Sequence, residues 1–157
     1  VKEFVKEFLV NLAHKMNTVF NIEVKENEGV ISAVIISEKN ALLIGKDGNT
    51  LKSIQLILRQ ALRKYGDFDI KVNLDIAGYK AKREKNISYE VKKIAREVSK
   101  THIEAKLDPM NSYERRIAHM AIQNFNNVYT ESVGEEPNRC VVIKYCENKE
   151  NNEEKGK

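Results

Sequence analysis

The alternation of Phe68, Ile70, Val72, Leu74 and Ile76 with Asp67, Asp69, Lys71, Asn73 and Asp75 constrains this chain more than any other feature. Successive side chains on a strand point to opposite faces, so the segment reads as a strand with one apolar and one polar face. Such a strand needs a sheet whose apolar face is covered, and the neighbouring sequence offers the cover. Val1, Val5, Phe8, Leu9, Leu12 and Met16 form one stripe of a helix over residues 1–16. Leu51, Ile54, Ile57, Leu58, Ala61 and Leu62 lie on one face of a second helix that starts at Asn49 and ends at Gly66. Between them, Phe20, Ile22 and Val24 alternate with polar residues, Glu26-Asn27-Glu28-Gly29 supplies turn chemistry, and residues 30–36 are mostly β-branched, which predicts a hairpin. A short apolar helical turn at residues 41–44 leads into Gly45-Lys46-Asp47-Gly48. The order helix, strand, strand, short helix, Gly-x-x-Gly, helix, strand closes a three-stranded sheet with its helices on one face, over residues 1–78.

Gly78 punctuates the chain. From Tyr79 to about Ala105, Ile87, Val91, Ile94, Ala95 and Val98 predict a long helix that Asp108-Pro109 breaks, and Ser112 is a good N-cap for the next one. On that next helix Tyr113, Ile117, Met120, Ala121 and Asn124 share one face, while Arg115, His119, Gln123 and Asn126 line another. A strand over residues 128–133, a turn at 134–138 and a strand over 139–145 follow. The fold class is therefore α+β: a first domain at 1–78, a smaller α/β domain at 79–146 opened by a long basic helix, and a polar tail at 147–157 that reads as disordered.

With 27 Lys and Arg against 23 Asp and Glu, the net charge of +4 is too small to indicate a polyanion by itself. Its distribution is more informative. Residues 78–106 hold nine basic residues against four acidic ones, a local net of +5. A basic run of this kind is also what an ordinary solvated helix face looks like. No apolar run of about 18 residues and no secretory signal is present, which predicts a cytoplasmic protein without membrane insertion. Cys140 and Cys146 are too few and wrongly spaced for zinc and read as reduced thiols; no metal and no cofactor is expected. The chain opens at Val1 rather than Met, which leaves room for an upstream segment.

Gly-x-x-Gly alone is a weak pattern. Here it lies between a β-branched strand and a helix N-terminus, where glycines let a sugar-phosphate backbone approach and free amide groups favour anions. Lys46 adds a positive charge. The run Leu42-Leu43-Ile44-Gly45-Lys46-Asp47-Gly48-Asn49-Thr50-Leu51 resembles the signature loop of KH domains, and the element order resembles the bacterial type II arrangement. The resemblance implies a narrow groove that clamps about four single-stranded nucleotides by their backbone. It makes Gly45, Lys46, Asp47, Gly48, Asn49 and Thr50 the RNA-binding residues. Asp47 departs from the family pattern, since a carboxylate beside phosphate opposes binding. The plain structural alternative is a helix-start turn with no ligand.

In Tyr113-Glu114-Arg115-Arg116-Ile117-Ala118-His119, Arg115 and His119 are four apart and share a helix face. Taken with Ser132-Val133-Gly134-Glu135-Glu136-Pro137-Asn138-Arg139-Cys140, this resembles the single-strand-binding domain named for its Arg-x-x-x-His motif. Arg115, Arg116, His119 and Arg139 are its candidate contacts: arginine offers a planar fork to phosphate or base, and histidine can stack, hydrogen bond or gain charge. In the bland alternative His119 satisfies a backbone carbonyl and Arg115 pairs with a carboxylate such as Glu136.

A KH domain followed by this second domain, with Leu107-Asp108-Pro109-Met110-Asn111 before the helix, resembles the Jag family of Gram-positive bacteria. That resemblance implies a regulator or chaperone that binds single-stranded RNA, with single-stranded DNA as a further ligand, and is linked to cell elongation and envelope synthesis. Its implied partners are a KH-only protein or a second copy of itself, and members commonly carry a further N-terminal domain. Two other classes compete. A nuclease would use His119 as acid or base with Arg115 on the phosphate, but neither a second nearby histidine nor a carboxylate cluster supports it, so no enzyme is expected. A protein adaptor would use the KH domain and the basic helix, with nucleic acid incidental.

Overall fold

The computed structural model describes residues 1–64 and 70–147. The expected helix stop at Gly66, the first part of the alternating strand at Phe68 and the tail beyond Glu147 lie outside the described residues. The chain forms two compact units, Val1–Lys80 and Ala81–Lys157.

In the first unit, α1 (Lys2–Lys15) is followed by β1 (Asn21–Asn27) and β2 (Val30–Ile36), then α2 (Asn40–Ile44), α3 (Asn49–Arg63) and β3 (Lys71–Ile76). β1 pairs antiparallel with β2, and β2 pairs parallel with β3, in the order β1-β2-β3. The hairpin turns on Glu28 and Gly29, whose φ values of 48° and 76° are the pair that a tight two-residue loop requires. Ile31, Ala33 and Ile35 of β2 and Val72, Leu74 and Ile76 of β3 are buried, against Val5 and Leu9 of α1 and Leu51, Ile54, Leu58 and Leu62 of α3. Helices thus cover one face, as the alternation demands. Two side chains depart from the predicted stripes: Val1 is exposed, and Ile57 is 57% exposed because the buried row of α3 runs through Ile54 and Leu58.

The second unit contains most of α4 (Tyr79–Thr101), then β4 (Ala105–Lys106), α5 (Ser112–Ala121), β5 (Val128–Val133) and β6 (Cys140–Tyr145). The sheet order is β4-β6-β5, antiparallel throughout. Ile87, Val91, Ala95 and Val98 of α4 meet Ile117 and Ala118 of α5, with Val141 and Ile143 of β6, in one core. Both cysteines are buried and free.

Three expectations are corrected here. The long helix stops at Thr101, not near Ala105, because His102 takes a φ of 59° and Ala105 and Lys106 pair with Ile143 and Val142 as a strand. The N-cap of α5 is Asn111, not Ser112: its side chain accepts from the Glu114 amide at 2.9 Å while a Glu114 carboxylate oxygen accepts from the Asn111 amide at 3.0 Å. This reciprocal capping leaves the other Glu114 oxygen for Arg83 Nε of α4 at 3.0 Å, so a buried carboxylate ties the two helices together. Finally, Tyr113 and Met120 are exposed, and the inward face of α5 carries Glu114, Arg115, Ile117 and Ala118.

Leu58→Ala should cost about 2–5 kcal/mol in urea unfolding, since it opens a cavity in the first core. The adjacent Ile57→Ala should stay within about 0.5 kcal/mol of the unsubstituted chain. Equal losses at both positions would contradict the burial assignment.

Candidate nucleic-acid interface

α2 ends at Gly45, and residues 46–48 form a single tight turn that delivers the chain to the start of α3. Three residues of this loop lie in left-handed backbone space or close to it: Gly45 with φ 71°, Asp47 with φ 52° and Gly48 with φ 76°. No side chain caps α3 at Gly48. The first amide groups of a helix have no partner within it, so this end carries the positive end of the helix dipole, although the Asn49 amide donates to the Lys46 carbonyl. Lys46 and Asp47 are exposed beside it, Asn49 is exposed and Thr50 half-buried. Lys46 has no ion-pair partner among the described residues, and Lys52 Nζ donates to the Asp47 carbonyl oxygen at 3.4 Å.

The two glycines serve the fold itself. A Cβ on Gly45 would lie 2.1 Å from Thr50 Oγ1, and one on Gly48 would lie 2.8 Å from Tyr79 Cε1. The space expected for an approaching sugar-phosphate backbone is therefore, on the Cβ side, already filled by the chain's own side chains. Gly48 is buried under Tyr79, which packs at the edge of the first core.

In the second unit, Arg115 is 8% exposed. Its NH1 donates to the Met110 carbonyl at 2.8 Å and to Glu136 Oε1 at 2.7 Å. The carboxylate alternative is what this arginine adopts. His119 lies one turn further along α5, its Nδ1 against Thr130 Oγ1 and its Nε2 3.1 Å from Ser132 Oγ. Thr130 and Ser132 alternate on β5, so both hydroxyls face the ring, in place of the backbone carbonyl of the alternative reading. Burial, and then the nearby Arg115 charge, lower the His119 pKa below its ordinary value of 6.5, so the ring is neutral at neutral pH. Arg139 joins the group through its carbonyl, which accepts from the Met110 amide at 3.1 Å. Its Nε is a buried donor with no hydrogen-bond partner among the described residues. Arg116, in contrast, is exposed on α5, outside the buried row of Glu114, Arg115, Ile117 and Ala118.

A family model for the KhpA/KhpB KH domain matches residues 2–76, and one for the domain named after its Arg-x-x-x-His motif matches residues 86–145. The chain is similar to "RNA-binding protein KhpB" of Clostridium symbiosum, 38% identical over 87% of this chain and 63% of that protein. It is also similar to the Bacillus subtilis (strain 168) protein of the same name, 34% identical over 89% of this chain and 68% of that protein. The chain belongs to the KhpB/Jag family. Its Arg-x-x-x-His motif runs from Arg115 to His119, and the loop at Gly45 lies in its KH domain. A third relative, KhpB of Lactiplantibacillus plantarum, is 28% identical over 87% of this chain and 42% of that protein. The KhpB/Jag-family chain thus spans between about two fifths and two thirds of the length of these curated relatives. Among the described residues, no helix is long and apolar enough to cross a membrane, and no group of three or more His, Cys, Asp or Glu could hold a metal ion.

Sequence reasoning missed Met110, Thr130 and Ser132, the partners that orient Arg115 and His119 in this second domain. The two hydroxyls carried a signal, since they sit two apart on a predicted strand. Met110 acts through its carbonyl, which no sequence pattern marks.

Gly48→Ala should destabilise the KH domain by about 1–3 kcal/mol through its positive φ and the Tyr79 contact. Thermal unfolding of Gly48→Ala with and without Tyr79→Ala checks this, with part of the loss recovered in the double variant. For His119, an NMR titration should give a midpoint below 6.5, and Arg115→Met should move it upward. Because the folded pKa is the lower one, the fold favours the neutral ring. The His119 contribution is complete above 6.5 and is lost as pH falls from there toward the folded midpoint.

Proposed function

We propose that this chain binds single-stranded RNA at two places, the Gly45–Gly48 loop with Asn49 and Thr50, and the cluster of Arg115, His119 and Arg139 with Arg116 at its margin. The observation that carries the proposal is the start of α3, which no side chain caps, with Lys46 beside it lacking an ion-pair partner among the described residues, an arrangement suited to a phosphate oxygen. A buried Arg139 Nε without a partner among the described residues supports the second place, because an incoming acceptor would satisfy it. The names of its relatives, RNA-binding proteins, agree with this reading. Two weak contacts on one chain raise avidity without either being tight.

In this reading the protein is a cytoplasmic, non-catalytic post-transcriptional regulator or RNA chaperone linked to cell elongation and envelope synthesis, and single-stranded DNA is a further ligand. A neutral His119 held by two hydroxyls acts by hydrogen bonding or stacking, with Arg115 bearing the charge. Asp47 opposes phosphate, so Asp47→Lys tightens binding. A second reading, an adaptor that docks a KH-only protein or a second copy, is favoured by one observation: Leu56 and Ile57 expose 53% and 57% of their surface on the outer side of α3.

Fluorescence anisotropy with single-stranded RNA at several salt concentrations tests the proposal. Lys46→Asp and the pair His119→Ala/Arg139→Ala should each weaken binding about tenfold, the scale of one charge-assisted hydrogen bond. Lys46→Asp should also make the log-log salt slope shallower by about 0.7, one phosphate. Affinity unchanged in both variants would remove the two-site reading and leave the adaptor.

A further inference from the structure

α4 carries a surface that neither proposed site uses. An α-helix turns about 100° per residue, so side chains three, four, seven and eleven positions apart lie along one side. Lys82, Lys85, Lys92, Lys93, Arg96 and Lys100 all hold such positions relative to Tyr89, and all six are exposed. They lie opposite Ile87, Val91, Ala95 and Val98, the row that fills the second core. Glu84, Glu90 and Glu97 fall off the stripe, and none of the six cations has an ion-pair partner among the described residues. Tyr89, at the centre, is 72% exposed. Its ring borders a shallow depression lined by Ala81, Glu84, Lys85, Ser88 and Lys92.

We propose that the outer face of α4 is a third contact for single-stranded RNA, in which a base stacks on Tyr89 and the backbone follows the cations from Lys82 to Lys100. The inference rests on the RNA-binding reading above. An aromatic platform set among cations along a track of about 27 Å is the combination that holds single strands without sequence preference. Charge alone would suit an acidic protein as well, but an acidic protein surface has no need of an exposed ring at the middle of the stripe. Lysine stems also lie flat beside such a ring and leave their ammonium groups in water, where phosphates reach them.

The chain contains no Trp, so Tyr89→Trp creates a sole indole reporter. Titration with a short oligouridylate should quench its emission saturably, while Val19→Trp, at a 79% exposed position of the first unit, should show no comparable quenching. Tyr89→Ala should weaken anisotropy-detected binding by about 5- to 100-fold and Tyr89→Phe should leave it near the starting value. Lys85→Glu/Lys92→Glu should make the salt slope shallower by about 1.4, two phosphates. Because these side chains are exposed, the variants fold, as circular dichroism will confirm. If the unsubstituted chain binds the oligonucleotide and Tyr89→Ala binds equally well, or if both indoles quench alike, the α4 contact is overturned and the two-site reading survives. If the unsubstituted chain does not bind, both fall.

Discussion

One apolar sheet face must be covered by helices drawn from the same stretch of chain, Val1–Lys80, and most of the first unit follows from that need. Val72, Leu74 and Ile76 of β3 and Ile31, Ala33 and Ile35 of β2 present one apolar surface, and α1 and α3 close over it. β2 and β3 run parallel, so the chain has to cross back over the sheet between them, and α2, the glycine loop and α3 make that crossing. The sharp change of direction from α2 to α3 demands a left-handed backbone at Gly45 and Gly48. The exposed start of α3, on which the proposed chemistry depends, is thus a by-product of covering the sheet. Tyr79 packs against Gly48 and so holds the loop while Lys46 and Asp47 stay in solvent.

The second unit is organised around a buried carboxylate. Glu114 caps α5 through Asn111 and accepts from Arg83 of α4, which sets the phase of α5 against the core. With that phase, His119 meets Thr130 and Ser132 of β5, and Arg115 meets Glu136 in the turn after it and the Met110 carbonyl just before α5. The arrangement is both structural and available. Arg115 uses one nitrogen in the fold, and Nε of Arg139, whose carbonyl accepts from the Met110 amide, remains a buried donor without an acceptor among the described residues. A buried unmet donor is costly, and such cost tends to persist where a ligand relieves it.

Periodicity located nearly every element because alternation and helical stripes are local consequences of burial. The hairpin at Glu28 and Gly29, β5 and the inward row of α4 stand where the pattern puts them. Errors gather where a distant partner wins. Ala105 continues an apolar helical pattern, yet it pairs with Ile143, and only that pairing explains why α4 stops at Thr101. Asn111 and Ser112 are both good caps; the carboxylate three residues after Asn111 is the local signal that marks the right one. Tyr113 and Met120 belong with the apolar face by residue type alone, whereas the core took Glu114 because its carboxylate is fully engaged.

By itself the sequence determined the α+β class, the order of the elements other than β4, the glycine loop at a helix start and the Arg115–His119 pair on one helix face. All of these follow from spacing along a single segment, which backbone geometry converts directly into direction. The tertiary structure alone decided that Tyr79 fills the space above Gly48, that Arg115 meets Glu136 across 21 positions, and that two β5 hydroxyls hold His119. Those outcomes depend on which remote surfaces come together once apolar area is buried, and nothing in local spacing encodes that choice.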